Sequence, residues 1–175
     1  GILHCESCGQ PVTPEDPDLI WEKIAVFPEG ERLVITFPYE PNDSTPADVR
    51  RELGRMGFDR ALIDEAVEDL SASVIEKADH SLDVVVDRVV LKRSERKRIV
   101  DSLELAFRFG EGRLDVHFSG GKCYSFSEAL ECPDCKISYA APTANLFSFN
   151  SPVGACENCR GFGRIIDMDQ ELIIP

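Results

Sequence analysis

Six of the seven cysteines in this chain fall into three C-x-x-C pairs: Cys5 and Cys8, Cys132 and Cys135, Cys156 and Cys159. A two-residue spacer lets both thiolates of a pair reach one tetrahedral ion at about 2.3 Å, so the repeated spacing points to zinc. A redox C-x-x-C is the competing reading. It requires a thioredoxin-like strand-to-helix setting and does not account for three copies. The seventh, Cys123, stands in Lys122-Cys123-Tyr124-Ser125-Phe126, an apparent strand, and is expected to be a small buried hydrophobe.

Three pairs make one and a half four-ligand sites, and two assignments compete. In one, Cys132, Cys135, Cys156 and Cys159 form a local finger with twenty residues between the pairs. In the other, Cys5 and Cys8 join Cys132 and Cys135, leaving Cys156 and Cys159 as half of a further site whose partner pair lies beyond residue 175. The second is preferred here. Residues 9–130 read as a complete folding unit, which a zinc at both ends would clamp as an insertion.

Catalytic chemistry has no comparable foothold. No G-x-x-x-x-G-K-[ST] occurs, so no P-loop is present. Gly110-Glu111-Gly112 and Gly120-Gly121 lack the rest of a nucleotide fingerprint and read as turns. Glu65, Glu68 and Asp69 read as solvated surface. Among the histidines, His4 adjoins the first knuckle and could hydrogen-bond a thiolate, His80 reads as a loop residue and His117 as a strand residue. All-cysteine zinc sites are normally closed and structural, whereas a catalytic zinc keeps an open position. The expected catalytic set is therefore empty.

The elements that must position the cysteines alternate along the chain. Thr13-Pro14-Glu15-Asp16 opens a short helix carrying Leu19, Ile20 and Ile24. Residues 32–37 read as a strand. Thr45-Pro46 starts a helix that buries Val49, Leu53 and Met56 and stops at Gly57. Residues 58–63 form another strand, and 69–80 look polar and irregular. Leu82 to Leu91 is the strongest strand signal. Ser94 to Phe109 is a helix with Ile99, Leu103, Ala106 and Phe107 on one stripe, and residues 114–126 form a hairpin. The expected fold is α+β: an inserted α/β domain with a mixed or antiparallel sheet over residues 9–130, and a small zinc-stabilised module over 1–8 and 131–175.

Net charge is −13, which argues against a self-sufficient nucleic-acid binder, because phosphate neutralisation needs a basic surface. The run Lys92 to Arg98 holds five of the nineteen basic residues. It reads as a solvated helix start or as a docking patch for an acidic partner. No stretch approaches the roughly 20 apolar residues of a membrane span, and no signal-peptide h-region opens the chain. A cytoplasmic protein without membrane contact is expected. The opening directly on a metal-type motif and the ending on QELIIP suggest a piece of something longer.

The knuckle HCESCGQPV, the strand VVVDRVVLK, the helix DSLELAFRFGEG, then CPDCKISY and LFSFNSPVGACENCRGFG together resemble the UvrA family of the bacterial excinuclease ABC. The last segment also resembles the cysteine repeats of DnaJ-type modules. The UvrA resemblance implies a damage-sensing ABC-type ATPase of nucleotide excision repair, working as a homodimer on damaged DNA and loading UvrB. It implies that residues 9–130 are the UvrB-binding domain, inserted beside a structural zinc. ATP and Mg2+ would belong only to the full-length parent. Arg60 and Arg88, each charged within an otherwise apolar strand, are the expected partner-binding residues, with an internal ion pair to a neighbouring Asp as the plain alternative. Two other functions compete: an independent nucleic-acid-binding zinc domain, and a thiol-disulfide or DnaJ-like zinc protein.

Overall fold

A computed structural model describes residues 2–41, 44–77, 81–132 and 134–141. The described elements belong to one compact unit, Gly1–Tyr139. This unit holds β1 (Leu3–His4), β2 (Pro11–Val12), α1 (Pro17–Ile24), β3 (Arg32–Tyr39), α2 (Pro46–Met56), β4 (Arg60–Ile63), β5 (Ala66–Asp69), α3 (Ala72–Lys77), β6 (Leu82–Val90), α4 (Arg96–Phe109), β7 (Arg113–Phe118) and β8 (Cys123–Ser127). The fold is α+β, and every strand pair is antiparallel. β1 and β2 form a small ribbon, and the other six strands form one sheet in the order β5-β4-β6-β3-β7-β8.

Helix starts follow local chemistry. Asp16, not Thr13, caps α1: its carboxylate accepts from the Leu19 N–H at 2.8 Å, and Pro17 takes the first position, where no N–H is needed. Thr45 caps α2 with Pro46 behind it, and Gly57 closes the helix at φ 93°, a left-handed conformation that costs glycine little. Ile20 and Ile24 are buried as expected, but Leu19 is 43% and Met56 40% exposed. Both stand at the rim of their stripe, and an apolar residue there can remain in solvent.

Among the described residues, the four α-helices pack on one face of the sheet. Register assigns Leu33, Ile35 and Phe37 of β3 to that face, paired with Val89, Asp87 and Val84 of β6 across a bulge between Ile35 and Thr36. One core cluster joins α1 and α4 to β3, β6 and β7 through Ile20, Ile24, Leu33, Ile35, Ile99 and Leu103. A second joins α2 and α3 to Phe37, Ala61, Leu82 and Val84. Val86 packs against both clusters, and Phe37, Phe58 and Phe109 stack in the second, with centroids 5.0 Å apart for Phe37–Phe58 and 4.9 Å for Phe58–Phe109.

α3 lies inside the stretch expected to be irregular, and β5 forms just before it, where no element was expected. β5 pairs with β4 through a two-residue turn in which Asp64 and Glu65 have φ of 48° and 66°. That twist suits a hairpin, but the usual Asn-Gly signature is missing, so nothing in the sequence announces it. α3 is six residues long and buries Val74 and Ile75. It is too short to display helical periodicity.

Three of the five basic residues at the start of α4 pair with the protein's own carboxylates while remaining exposed. Arg93 reaches Glu29 at 3.9 Å, Arg96 reaches Asp18 at 2.5 Å, and Arg98 reaches Asp87 at 2.9 Å. Asp87 also accepts from Ser102 at 3.0 Å and from the Arg88 N–H at 2.7 Å. Desolvation raises the Asp87 pKa, but these hydrogen bonds outweigh it and hold the carboxyl below its usual value. A depressed carboxyl stabilises the fold above its unfolded pKa, about 3.9, and that stability is lost as pH falls through the folded value. Asp87→Asn should therefore be less stable than the parent chain at pH 6 and should flatten the acid limb of a denaturation series below about pH 4. Identical acid limbs in the two proteins would refute this account of Asp87.

Candidate metal centre

The first two cysteine pairs converge, although Cys8 and Cys132 are 124 residues apart in sequence. The sulfurs of Cys5, Cys8, Cys132 and Cys135 all lie within 4.8 Å of one another, and those of Cys8 and Cys132 are 3.5 Å apart. Tetrahedral zinc with four thiolates at about 2.3 Å places sulfurs about 3.8 Å from each other. The cluster thus has the size for one ion. Four soft donors without an oxygen or open position fit a closed structural site.

The two knuckles are built alike. In the first, the Cys5 N–H donates to the Gln10 carbonyl at 2.7 Å and the Gly9 N–H to the Cys5 carbonyl at 2.8 Å. In the second, the Cys132 N–H donates to the Ile137 carbonyl at 2.9 Å and the Lys136 N–H to the Cys132 carbonyl at 2.9 Å. His4 pairs with Pro11 across the first turn, and Glu131 with Ser138 across the second. The residue after each pair is left-handed, Gly9 at φ 75° and Lys136 at φ 56°. Only the first position carries the glycine this conformation favours. Cys5, Val12 and Cys132 form a small core of their own, with Leu130, Ile137 and Tyr139 packed against it.

Tyr139 is a site residue that no sequence pattern singled out. Its hydroxyl accepts from the Glu6 N–H at 3.0 Å and hydrogen-bonds the Cys5 sulfur. Together with the Cys8 backbone N–H, that bond lowers the Cys5 pKa to about 6. Cys8 moves the other way, up to about 12: against the Gln10 N–H, which lowers it, desolvation and the neighbouring sulfurs disfavour a second thiolate. Four crowded thiols cannot all ionise without a cation to hold them, so the opposed shifts belong to one ligand set. His4 does not reach a thiolate. Its Nδ1 lies 3.0 Å from the Gly9 carbonyl and steadies the first knuckle.

The cysteine cluster is tied to the sheet. Arg113, the first residue of β7, contacts the buried Glu131 at 3.0 Å, one position before Cys132. The Glu15 N–H donates to the Ser127 carbonyl at 2.9 Å, joining the approach to α1 to the end of β8. Cys123 belongs elsewhere. It is exposed on β8 opposite His117, because the hairpin turns it to the face that no helix covers. Cys156, Cys159 and His80 lie outside the described residues.

Arg60 and Arg88 share the helix-free side of the sheet. Ala61 pairs with Val84 and Ile35 with Asp87 on the helix side, so the residues flanking them point away. Arg60 is 49% exposed and lies 3.5 Å from Asp69, its cross-strand partner, and 3.9 Å from Asp59. Arg88 is exposed.

Residues 16–120 match the family described as the UvrA interaction domain. The chain belongs to the UvrA family. A UvrABC system protein A from Clostridium perfringens is 34% identical over 179 residues, covering 100% of this chain and 19% of the relative. One from Bacillus subtilis is 35% identical over 178 residues, with the same coverage. One from Methanothermobacter thermautotrophicus is 34% identical over 183 residues, again covering 100% and 19%. The chain thus spans about a fifth of the length of these UvrA relatives. The matched interaction domain runs from the α1 cap to the β7–β8 turn, and the two converging cysteine pairs flank it on either side. No helix among the described residues is long and apolar enough to cross a membrane.

Proposed function

We propose that this chain is the partner-docking portion of a UvrA-type protein of nucleotide excision repair. Residues 9–130 bind UvrB, and one structural zinc on Cys5, Cys8, Cys132 and Cys135 clamps the two ends of that domain. The observation that carries the reading is the convergence of four thiols from both flanks of the matched interaction domain. A closed cysteine site contributes folding energy directly. It joins the chain ends in a fixed geometry, as an insertion that presents a binding surface requires. ATP with Mg2+, homodimer formation, damaged DNA and a cytoplasmic setting belong in this reading to the whole protein.

Arg60 and Arg88 are the proposed contacts. Arginine is favoured at interface hot spots because its planar fork binds carboxylates in pairs. Both side chains are held on strands. The Arg60 ion pairs are half-exposed and long, so they contribute little to stability and can be exchanged for a partner's carboxylate. Arg→Ala at either position is expected to weaken UvrB binding by roughly 1–3 kcal/mol with the fold intact. Arg→Glu should weaken it further through repulsion. Titration of purified UvrB into folded Arg60→Glu and Arg88→Glu variants measures this, and unchanged affinity in both would move the interface elsewhere.

A further inference from the structure

The two arginines are not isolated on the surface. β4 pairs with β6 only at Ala61↔Val84 and Leu62↔Asp83, and the chain before Arg60 departs toward α2. From Val85 onward, that side of β6 has no strand beside it. A groove of about 710 Å³ follows the vacant edge, walled by the end of α2 and start of β4 on one side and by the last turns of α4 on the other. Because it lies at an edge, side chains from both faces of the sheet meet in it. Arg60 and Arg88 come from the helix-free face, and Arg108 comes from α4.

An exposed β edge can recruit another strand. Here the Arg88 N–H is already taken by the Asp87 carboxylate at 2.7 Å, so recognition by side chains is favoured over strand addition. The charges in the groove are unequal. Asp87 is engaged by Arg98 and Ser102, and Asp59 has only a long contact to Arg60. Among the described residues, Arg88 and Arg108 make no ion pair. Three guanidinium groups therefore converge on a chain whose net charge is −13. The same groove is lined by two large apolar side chains open to solvent, Met56 at 40% and Leu105 at 36% exposure.

We propose that Arg60, Arg88 and Arg108 form one receptor with Met56 and Leu105, and that its occupant is a carboxylate-bearing segment of the partner protein that seats an apolar side chain between the two. The inference rests on the UvrB reading above, and it adds a third arginine and an apolar anchor to that site. Charge complementarity selects an acidic partner. The apolar pair separates a protein surface from nucleic acid, whose backbone would call for a longer run of cations and offers nothing to cover Met56 and Leu105. Methionine suits such a seat because its unbranched side chain adapts to the group it covers.

The test uses the whole chain loaded with zinc and purified UvrB, with affinity measured by calorimetry at two salt concentrations. Arg108→Glu is expected to weaken binding at least about tenfold, and Leu105→Ser and Met56→Ser each several-fold. Arg108→Lys should retain part of the affinity, since it keeps the charge and loses the fork. Arg50→Glu, an exposed reversal on α2 away from the groove, should leave it unchanged. Thermal transitions of every variant confirm the fold, and the Leu105 and Met56 variants carry the test if Arg108→Glu does not fold. Binding that responds to Arg60 and Arg88 but not to Arg108, Leu105 or Met56 overturns the groove and leaves the docking reading standing. A chain that binds no UvrB overturns both. Variants that lose affinity for duplex DNA and keep it for UvrB would assign the groove to nucleic acid instead.

Discussion

Cys132→Ser is expected to release the metal and to unravel the two knuckles while the sheet persists. Cys132 is fully buried within the small core it shares with Cys5 and Val12. Serine there would remove a thiolate and leave a hydroxyl without a metal partner in an apolar pocket. Losing a group that merely supports a ligand lowers metal affinity roughly 10–100-fold, and losing a ligand should lower it more. Closed zinc sites contribute their binding energy to folding, so residues 2–12 and 130–139 should lose amide protection together. The six-stranded sheet has its own core clusters and should keep its protection at β3 and β6. Hydrogen exchange on the variant, and on the parent chain after chelation, should give the same pattern. If Leu82–Val90 exchanged as fast as the knuckles in either experiment, the clamp would be the foundation of the domain rather than its tether. Cys123→Ser is the control. That thiol is exposed and outside the cluster, and its replacement should change stability by less than about 0.5 kcal/mol.

Gly110→Ala should destabilise the domain by roughly 3–4 kcal/mol, near the upper end for a single substitution. A Cβ at Gly110 would lie 2.1 Å from the Arg113 carbonyl oxygen and 2.8 Å from the Phe37 Cβ. Neither neighbour can yield cheaply. The Arg113 carbonyl belongs to the first residue of β7, and Phe37 is buried on β3 against Phe58 and Phe109. Gly110 itself has φ −92°, a conformation open to any residue. The need for glycine is thus close approach, and the left-handed positions of the turn fall to Glu111 and Gly112. Gly54→Ala makes the opposite case. It lies inside α2 with nothing within 4 Å of the new methyl, and alanine should add about 0.5–1 kcal/mol there. Urea denaturation of both variants measures the contrast. A Gly110→Ala protein as stable as its parent would mean that the α4–β7 connection can shift as a unit.

Much of this molecule follows from local pattern. C-x-x-C spacing marks the candidate ligands because two thiolates that share an ion must reach it from one turn, and that constraint is written in consecutive residues. Leu82–Val90 and the stripe of α4 are legible for a similar reason: each repeats its burial over enough residues to display a period. The Thr45-Pro46 start of α2 is equally local. What lacked such a signal was short or cooperative. β5 and α3 are too brief to show a period, and the Asp64-Glu65 turn adopts left-handed angles without glycine. Which cysteine pairs meet is decided by the sheet, since closing β8 beside β7 brings the chain after Leu130 back to the first ribbon, where Arg113 and Glu131 hold it. Tyr139 becomes a neighbour of Cys5 by the same closure. The exposure of Cys123 depends on which face of the hairpin the helices leave open. The grouping of Arg60, Arg88 and Arg108 arises because the pairing of β4 with β6 ends at Ala61 and α4 runs beside the edge left vacant. Their sequence numbers carry no trace of that meeting, because a side chain's spacing fixes its local direction, whereas its distant neighbours are chosen by where strands begin and end.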